Sequence, residues 1–76
     1  MLQPRMSSAR YRIVVKGELG RRYASAFEGL ELHAANGETE ISGQIIDASH
    51  LQAVLERIAG LGLVLGSVTP IEDGVG

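Results

Sequence analysis

Hydrophobic and polar residues alternate in three short stretches of the chain. In residues 11–16 hydrophobic side chains occupy every second position, which is the pattern of a β-strand with one buried face. Residues 30–34 and 39–45 alternate in the same way, on either side of the pair Asn36-Gly37. An asparagine-glycine pair favours a two-residue hairpin turn. The pattern therefore predicts a first strand and, after a gap, a hairpin of strands two and three.

Two helices are predicted from apolar residues spaced three and four positions apart. The first stripe consists of Leu19, Tyr23, Ala26 and Phe27. Gly29 can end that helix in a left-handed conformation. The second helix follows Asp47 or Ser49, either of which can cap its N-terminus, and it ends at Gly60 or Gly62. Its stripe is the longer one and consists of Leu51, Val54, Leu55, Ile58 and Leu61.

The last predicted strand covers residues 63–69 and stops at Pro70, which cannot donate a hydrogen bond to a β-ladder. The element order is then β-α-β-β-α-β, two split β-α-β halves around a central hairpin, which is the ferredoxin-like arrangement. Right-handed crossovers place both helices on one face of a four-stranded antiparallel sheet with strand order 4-1-3-2. We therefore predict an α+β, ferredoxin-like fold in a single domain over residues 10–71, with flexible tails at 1–9 and 72–76.

Size and composition limit the kind of protein this is. A chain of 76 residues allows one domain, and it buries only about 60% of its unfolded surface, so association with a second copy would add stability. Cysteine is absent, which excludes disulfides, thiolate catalysis and cysteine-ligated zinc and favours a cytoplasmic location. No apolar run approaches the length of a membrane span or a signal peptide, so we expect no membrane association.

Charge is divided unevenly along the chain, although the net charge is only −2. Up to Phe27 there are six basic residues and one acidic residue, whereas from Glu28 onward there are one basic and eight acidic residues. Such asymmetry can steer a partner or another copy of the chain. The alternative is an ordinary solvated surface.

The segment between the first strand and the first helix is the candidate ligand site. Its two glycines match the spacing of neither a P-loop nor a dinucleotide-binding motif. A helix N-terminus beside two arginines can attract an anion, although Glu18 already places a negative charge there. The candidate ligand-binding residues are Gly17, Glu18, Gly20, Arg21 and Arg22.

Catalytic, metal and nucleic-acid sites are not expected. His33 and His50 have no partner at metal-ligand spacing. The one conceivable acid–base grouping lies on an open sheet face that cannot exclude water, and it consists of Glu31 and His33 with Glu40 or Ser42 opposite. The outward positions of the two central strands carry no aromatic side chain on which a base could stack, which argues against RNA binding. We therefore expect no enzymatic activity, no metal and no cofactor.

The outer face of the predicted sheet offers a candidate protein contact. Val14, Val64 and Val68, with small Gly66 between the last two, are predicted to form an apolar strip along strands one and four. On so small a domain, such a strip suggests a subunit contact by sheet stacking or by pairing of strand four. The alternative is a lightly apolar edge that needs no explanation.

Two resemblances extend these predictions. Residues 47–68, a helix that ends in a leucine-glycine-leucine step and leads into the last strand, resemble the second half of small ferredoxin-like domains, including ACT-type regulatory domains. Residues 11–68 also resemble a group of short uncharacterised actinobacterial proteins of similar layout. ACT-type domains bind small effectors near the first β-α loop and pair edge to edge, so the resemblance implies a ligand near Gly17, Glu18 and Gly20.

The function that these observations favour is a non-enzymatic, self-associating module that binds a protein partner or serves as an accessory subunit. A homodimer is the expected state. The alternative is an ACT-like sensor that holds a small effector near the turn between strand one and helix one. A third hypothesis, an enzyme of the dimeric α/β-barrel kind, requires a cavity between the sheet and the helices.

Overall fold

Four strands and two helical segments follow one another along residues 9–71, the part of the chain that this computed structural model describes. They are β1 (Ala9–Lys16), a 3-10 helix (Arg21–Phe27), β2 (Glu31–Ala35), β3 (Glu38–Ile45), α1 (Ala48–Gly60) and β4 (Leu65–Ile71). Ala9 is the first residue of β1, so the prediction that it belongs to the N-terminal tail is wrong. The remainder of the predicted tails, 1–8 and 72–76, lies outside the described residues.

The four strands form one antiparallel sheet in the order β2-β3-β1-β4. Numbered from its other edge, the sheet has the order 4-1-3-2. The two central strands, β1 and β3, pair over their whole length, from Ala9 opposite Ile45 to Lys16 opposite Glu38. The α+β class and the antiparallel four-stranded sheet are therefore as predicted.

The hydrophobic core lies on one face of the sheet. Seven buried side chains form it: Ile13, Val15, Phe27, Ile41, Ile45, Val54 and Ile58. They come from β1, β3, the 3-10 helix and α1, so both helical segments cover the same face of the sheet. Burial of an aliphatic or aromatic side chain of this size contributes about 1.5–3 kcal/mol, which makes this cluster the main stabilising element of the domain.

The first predicted helix is a 3-10 helix and not an α-helix. Its N-cap is Gly20, which offers no side chain to accept a hydrogen bond from the first turn. An α-helix of seven residues gains too few hydrogen bonds to offset the cost of nucleation, and short segments commonly take the tighter 3-10 geometry. Phe27 is still buried as the stripe predicts, and Gly29 follows with a φ of 85°.

The hairpin turn is confirmed by its backbone angles. Asn36 and Gly37 both have positive φ, 55° and 81°, as the two central residues of a type I′ turn require. This turn joins β2 to β3 and sets their register, in which His33 lies opposite Glu40. The β2-β3 hairpin therefore forms as the sequence predicts.

The start of α1 uses one of the two predicted caps. The Asp47 Oδ1 atom accepts a hydrogen bond from the His50 N–H at 2.8 Å, so Asp47 is the N-cap. The His50 Nδ1 atom in turn accepts from the Ile46 N–H at 3.0 Å. At the other end, Leu61 was expected in the buried stripe but is 42% exposed, because it is the C-cap residue beyond the last helical turn.

The last strand differs from its prediction in two ways. β4 continues through Pro70, which is tolerated because β4 is an edge strand. A β-bulge also lies where Val14 pairs with Ser67 and Val15 pairs with Leu65, which leaves Gly66 as the extra residue. An extra residue reverses which side chains face the core beyond it.

The bulge has a direct consequence for Val68. Val68 pairs with Ile13, a core residue, and packs against the core cluster. The prediction that Val68 lies on the outer face of the sheet is therefore wrong. Glycine suits the bulge position itself, because a Cβ atom on Gly66 would lie only 3.0 Å from the carbonyl oxygen of Val14.

Candidate functional site

The predicted ligand-binding turn is held by the protein's own hairpin. The Gly17 N–H donates to the Gly37 carbonyl oxygen at 2.6 Å, and the Gly37 N–H donates to Oε2 of Glu18 at 2.9 Å. The Thr39 hydroxyl donates to the Gly17 carbonyl oxygen and accepts from the Leu19 N–H, both at 2.8 Å. The Glu18 carboxylate and the backbone on either side of it are therefore engaged within the domain.

The other predicted ligand residues stand at the start of the 3-10 helix. Gly20 is the N-cap, and its carbonyl oxygen accepts from the Tyr23 N–H at 3.0 Å. The Arg22 guanidinium lies over the Tyr23 ring, 5.5 Å from its centroid, and Arg21 is exposed. The five predicted residues are thus neighbours on the surface, but none of them lines the cleft or the groove described below.

The outer face of the sheet carries two adjacent rows of opposite charge. Arg12 on β1 forms a salt bridge with Glu40 on β3, and Lys16 Nζ lies 3.9 Å from Oε2 of Glu38. All four side chains are more than a third exposed, so each pair contributes at most about 1 kcal/mol. The uneven charge along the chain is therefore partly balanced where β1 and β3 pair.

The predicted acid–base grouping lies on this open face. His33 is opposite Glu40 and Glu31 is opposite Ser42 in the strand register. A cleft of about 280 Å³, lined in part by His33 and Glu40, opens beside them. The Glu40 carboxylate is already paired with Arg12, so its charge is balanced without His33. Within residues 9–71 no group of three or more histidine, cysteine or carboxylate side chains is placed to hold a metal ion.

A groove of about 210 Å³ separates the 3-10 helix from α1. Apolar and polar side chains both line it, among them Phe27, Leu30, Val54, Glu28, His50 and Arg57. Sequence reasoning did not find this groove, because the 3-10 geometry decides which residues face α1. One signal was available: His50 and Arg57 are seven positions apart, two helical turns, and therefore share a helix face.

Exposed large hydrophobic side chains are concentrated at one corner of the described domain. Leu61, Val64 and Leu65 are 42%, 61% and 45% exposed, and they lie where α1 ends and β4 begins. We refer to these three residues as the α1–β4 corner. Ile46, which follows β3, is the other large hydrophobic residue of 9–71 with a mainly exposed side chain.

The predicted contact strip does not form one surface. Val14 is half-buried on the outer face, and Val64 is exposed at the α1–β4 corner. Gly66 is the bulge residue, and Val68 lies on the core face. Of the four predicted contact residues, therefore, Val64 alone belongs to the exposed apolar corner.

Most of the chain matches a known family. Residues 10–69 match the family model described as Domain of unknown function (DUF8691). The chain belongs to this family. The matched span of this DUF8691 domain begins in β1 and ends in β4, so it includes the turn after β1, the cleft, the groove and the α1–β4 corner. Comparison with curated proteins and with solved structures gave no match.

The part of this DUF8691 domain that the structure describes has no helix with the length and apolar character needed to cross a bilayer. Its one α-helix within residues 9–71, α1, has 13 residues and packs Val54 and Ile58 into the core. The exposed apolar side chains of the α1–β4 corner lie beyond the last turn of that helix.

Proposed function

We propose that this DUF8691 domain is a non-enzymatic module that associates with a second copy of itself and acts as an interaction or accessory subunit. The observation that carries the proposal is the α1–β4 corner, where Leu61, Val64 and Leu65 are each exposed within five consecutive positions of the chain. Exposed apolar side chains that occur singly are normal on soluble proteins, whereas contiguous ones mark contact surfaces.

A second copy is the occupant best matched to this corner. A two-fold contact brings the same surface patch of both copies together, so an apolar corner meets an apolar corner. The extra buried surface also helps a domain whose own core is small. Three partly exposed side chains are far fewer than the roughly 20–30 residues a side of a standard interface, so we expect a weak dimer, with a Kd of about 10 μM or above.

The contact is expected to join side chains and not to extend the sheet. β4 is an edge strand, but the bulge at Gly66 and the missing N–H of Pro70 interrupt its free hydrogen-bonding groups. Bulges and prolines are devices that keep sheet edges from pairing with one another. We therefore assign the contact to the α1–β4 corner and not to the length of β4.

The proposal includes a ferredoxin-like assignment of the fold. The order of elements supports it, with the 3-10 helix in the position of the first α-helix. The ACT-like alternative, with an effector held at the turn after β1, has less support. Gly17 and Glu18 in that turn already form hydrogen bonds with the β2-β3 hairpin.

Light scattering of the full chain after size exclusion tests the proposal. Over concentrations from about 1 μM to 1 mM, the average molar mass is expected to rise from the 8.1 kDa of one chain toward twice that value. A mass that stays at that of one chain over the whole range would exclude self-association of this strength.

A further inference from the structure

We propose that the groove between the 3-10 helix and α1 binds a small zwitterion with a short apolar side chain, of which an apolar α-amino acid is the simplest example. The groove lies apart from the turn after β1 and shares no residue with the α1–β4 corner. The inference therefore does not depend on self-association.

The groove has the size and the floor for such a ligand. Its volume of about 210 Å³ is below the roughly 300–1,000 Å³ of pockets for drug-sized molecules, so it admits only a small molecule. Two small residues keep it open, Ala26 from the 3-10 helix and Ala53 from α1. Half-buried Leu30 lines it together with the mostly buried Phe27 and Val54, and these three side chains form the apolar part of the lining.

Two hydrogen-bond donors for a carboxylate come from α1. His50 and Arg57 lie about 10.5 Å apart along the helix axis, with Ala53 between them. Helical side chains lean toward the N-terminus, so we expect the long Arg57 side chain to reach back toward Ala53. Because His50 Nδ1 accepts the Ile46 N–H, the neutral ring carries its proton on Nε2, which leaves that N–H as a donor.

The opposite charge comes from the end of the 3-10 helix. Glu28 follows Phe27 directly and lines the same groove as Arg57. Among residues 9–71 neither Glu28 nor Arg57 takes part in a salt bridge. An unpaired carboxylate and an unpaired guanidinium thus flank one apolar floor. In a ligand with both charges and an apolar group, the ammonium group pairs with Glu28, the carboxylate pairs with Arg57 and the apolar group contacts the floor. A simple anion offers Glu28 no positive charge and is repelled by its carboxylate.

An NMR titration of the ¹⁵N-labelled full chain with L-leucine tests the proposal. We expect saturable shifts of the amide signals of Ala26, Glu28 and Ala53. Two analogues separate the charges, since 4-methylpentanoate lacks the ammonium group and L-leucinamide lacks the carboxylate. Each is expected to bind about tenfold more weakly than L-leucine, because it leaves one charged side chain of the groove unpaired.

Three variants locate the binding. Ala53→Leu fills the groove without a change of charge and is expected to abolish the shifts. Ala59→Leu makes the same substitution at an exposed position of α1 outside the groove and is expected to keep them. Arg57→Gln is expected to weaken L-leucine about tenfold and to leave L-leucinamide unchanged. Thermal unfolding of each variant verifies that it is folded.

Several outcomes would overturn the proposal. One is a titration with L-leucine that never saturates, and another is equal binding of L-leucine and both analogues. A third is undiminished binding to folded Ala53→Leu. Because the titration follows ligand-induced shifts and light scattering follows molar mass, failure of one proposal is distinguishable from failure of the other.

Discussion

The buried hydroxyl of Thr39 donates a hydrogen bond to the carbonyl oxygen of Gly17, 2.8 Å away, and so joins β3 to the turn that follows β1. The same oxygen atom of Thr39 accepts the Leu19 N–H. One side chain therefore satisfies a backbone acceptor and a backbone donor on either side of Glu18. This arrangement occupies the turn that the sequence marks as a ligand site.

We predict that Thr39→Val destabilises the domain by about 1–3 kcal/mol, since valine has the same shape but leaves the Gly17 carbonyl and the Leu19 N–H without their partner. Urea unfolding followed by circular dichroism measures the change. Thr69→Val on β4 is the matched control, because Thr69 is exposed, and it should change stability by less than about 0.5 kcal/mol. Equal losses in the two variants would contradict this account of the turn.

Gly43→Ala is predicted to destabilise the domain by about 1–3 kcal/mol through overpacking. Gly43 lies in β3 beneath the chain that enters β2, and a Cβ atom there would be 2.7 Å from Leu30 Cδ2 and 3.3 Å from the Gly29 carbonyl oxygen. Its φ of 154° adds strain for any other residue. The free energy of unfolding in urea is the quantity to compare.

Gly60→Ala is the control for that substitution. Gly60 is the last residue of α1, and a Cβ atom there meets nothing within 4 Å. Alanine reduces the entropy of the unfolded chain, so we expect stability to stay constant or to rise by about 0.5–1 kcal/mol. A Gly43→Ala protein as stable as Gly60→Ala would show that Leu30 and Gly29 do not restrict the size of the side chain at position 43.

Asp47→Ala is expected to cost about 1 kcal/mol and to lower the melting temperature, because the His50 N–H in the first turn of α1 then loses its acceptor. Ser49→Ala is the matched control. Ser49 is the other cap that the sequence allows, but it lies inside the first turn and is exposed. A larger decrease in melting temperature for Ser49→Ala than for Asp47→Ala would indicate that Ser49 is the N-cap.

The sequence predicts best the features that depend on local backbone chemistry. Asn36-Gly37 defines the hairpin turn because both residues accept positive φ. Asp47 defines the start of α1 because its side chain reaches the first free N–H groups. The alternation in β1 and β3 correctly identifies their core faces, since a side-chain period of two leaves only one buried face.

The sequence predicts less well the features that depend on a single inserted residue or on a short helix. The bulge at Gly66 moves Val68 to the core face, and a glycine alone does not reveal whether a strand is bulged. The apolar stripe before Gly29 has the α-helical spacing, yet the segment is too short and too poorly capped to form an α-helix. The groove beside this segment was therefore not predicted, although the spacing of His50 and Arg57 places both residues on one face of α1.

Exposure of Leu61 depends on where α1 ends. Leu61 continues the helical spacing of Val54 and Ile58, so the pattern places it in the core. The helix ends at Gly60, however, and Gly62 follows with a φ of 77°, which redirects the chain toward β4. The exposure of Leu61 thus follows from helix termination, which the glycines at 60 and 62 indicate and the apolar stripe does not.

Sedimentation velocity of Val64→Lys beside Ile46→Lys tests whether the chain associates through the α1–β4 corner. Both positions are exposed to a similar degree, 61% and 63%, and both substitutions add the same charge. They lie at opposite ends of the sheet. The Val64 carbonyl oxygen accepts a hydrogen bond from the N–H of Lys16, the last residue of β1, whereas Ile46 follows Ile45, which pairs with Ala9, the first residue of β1. The length of β1 therefore separates the two positions by about 23 Å.

We predict that the unsubstituted chain and Ile46→Lys form the same dimer, with sedimentation coefficients that rise with concentration. Val64→Lys is predicted to sediment as a monomer throughout, because a buried lysine in an apolar contact is costly unless it is paired. Dimerisation of Val64→Lys as strong as that of Ile46→Lys, or a monomeric unsubstituted chain, would rule out association through the α1–β4 corner.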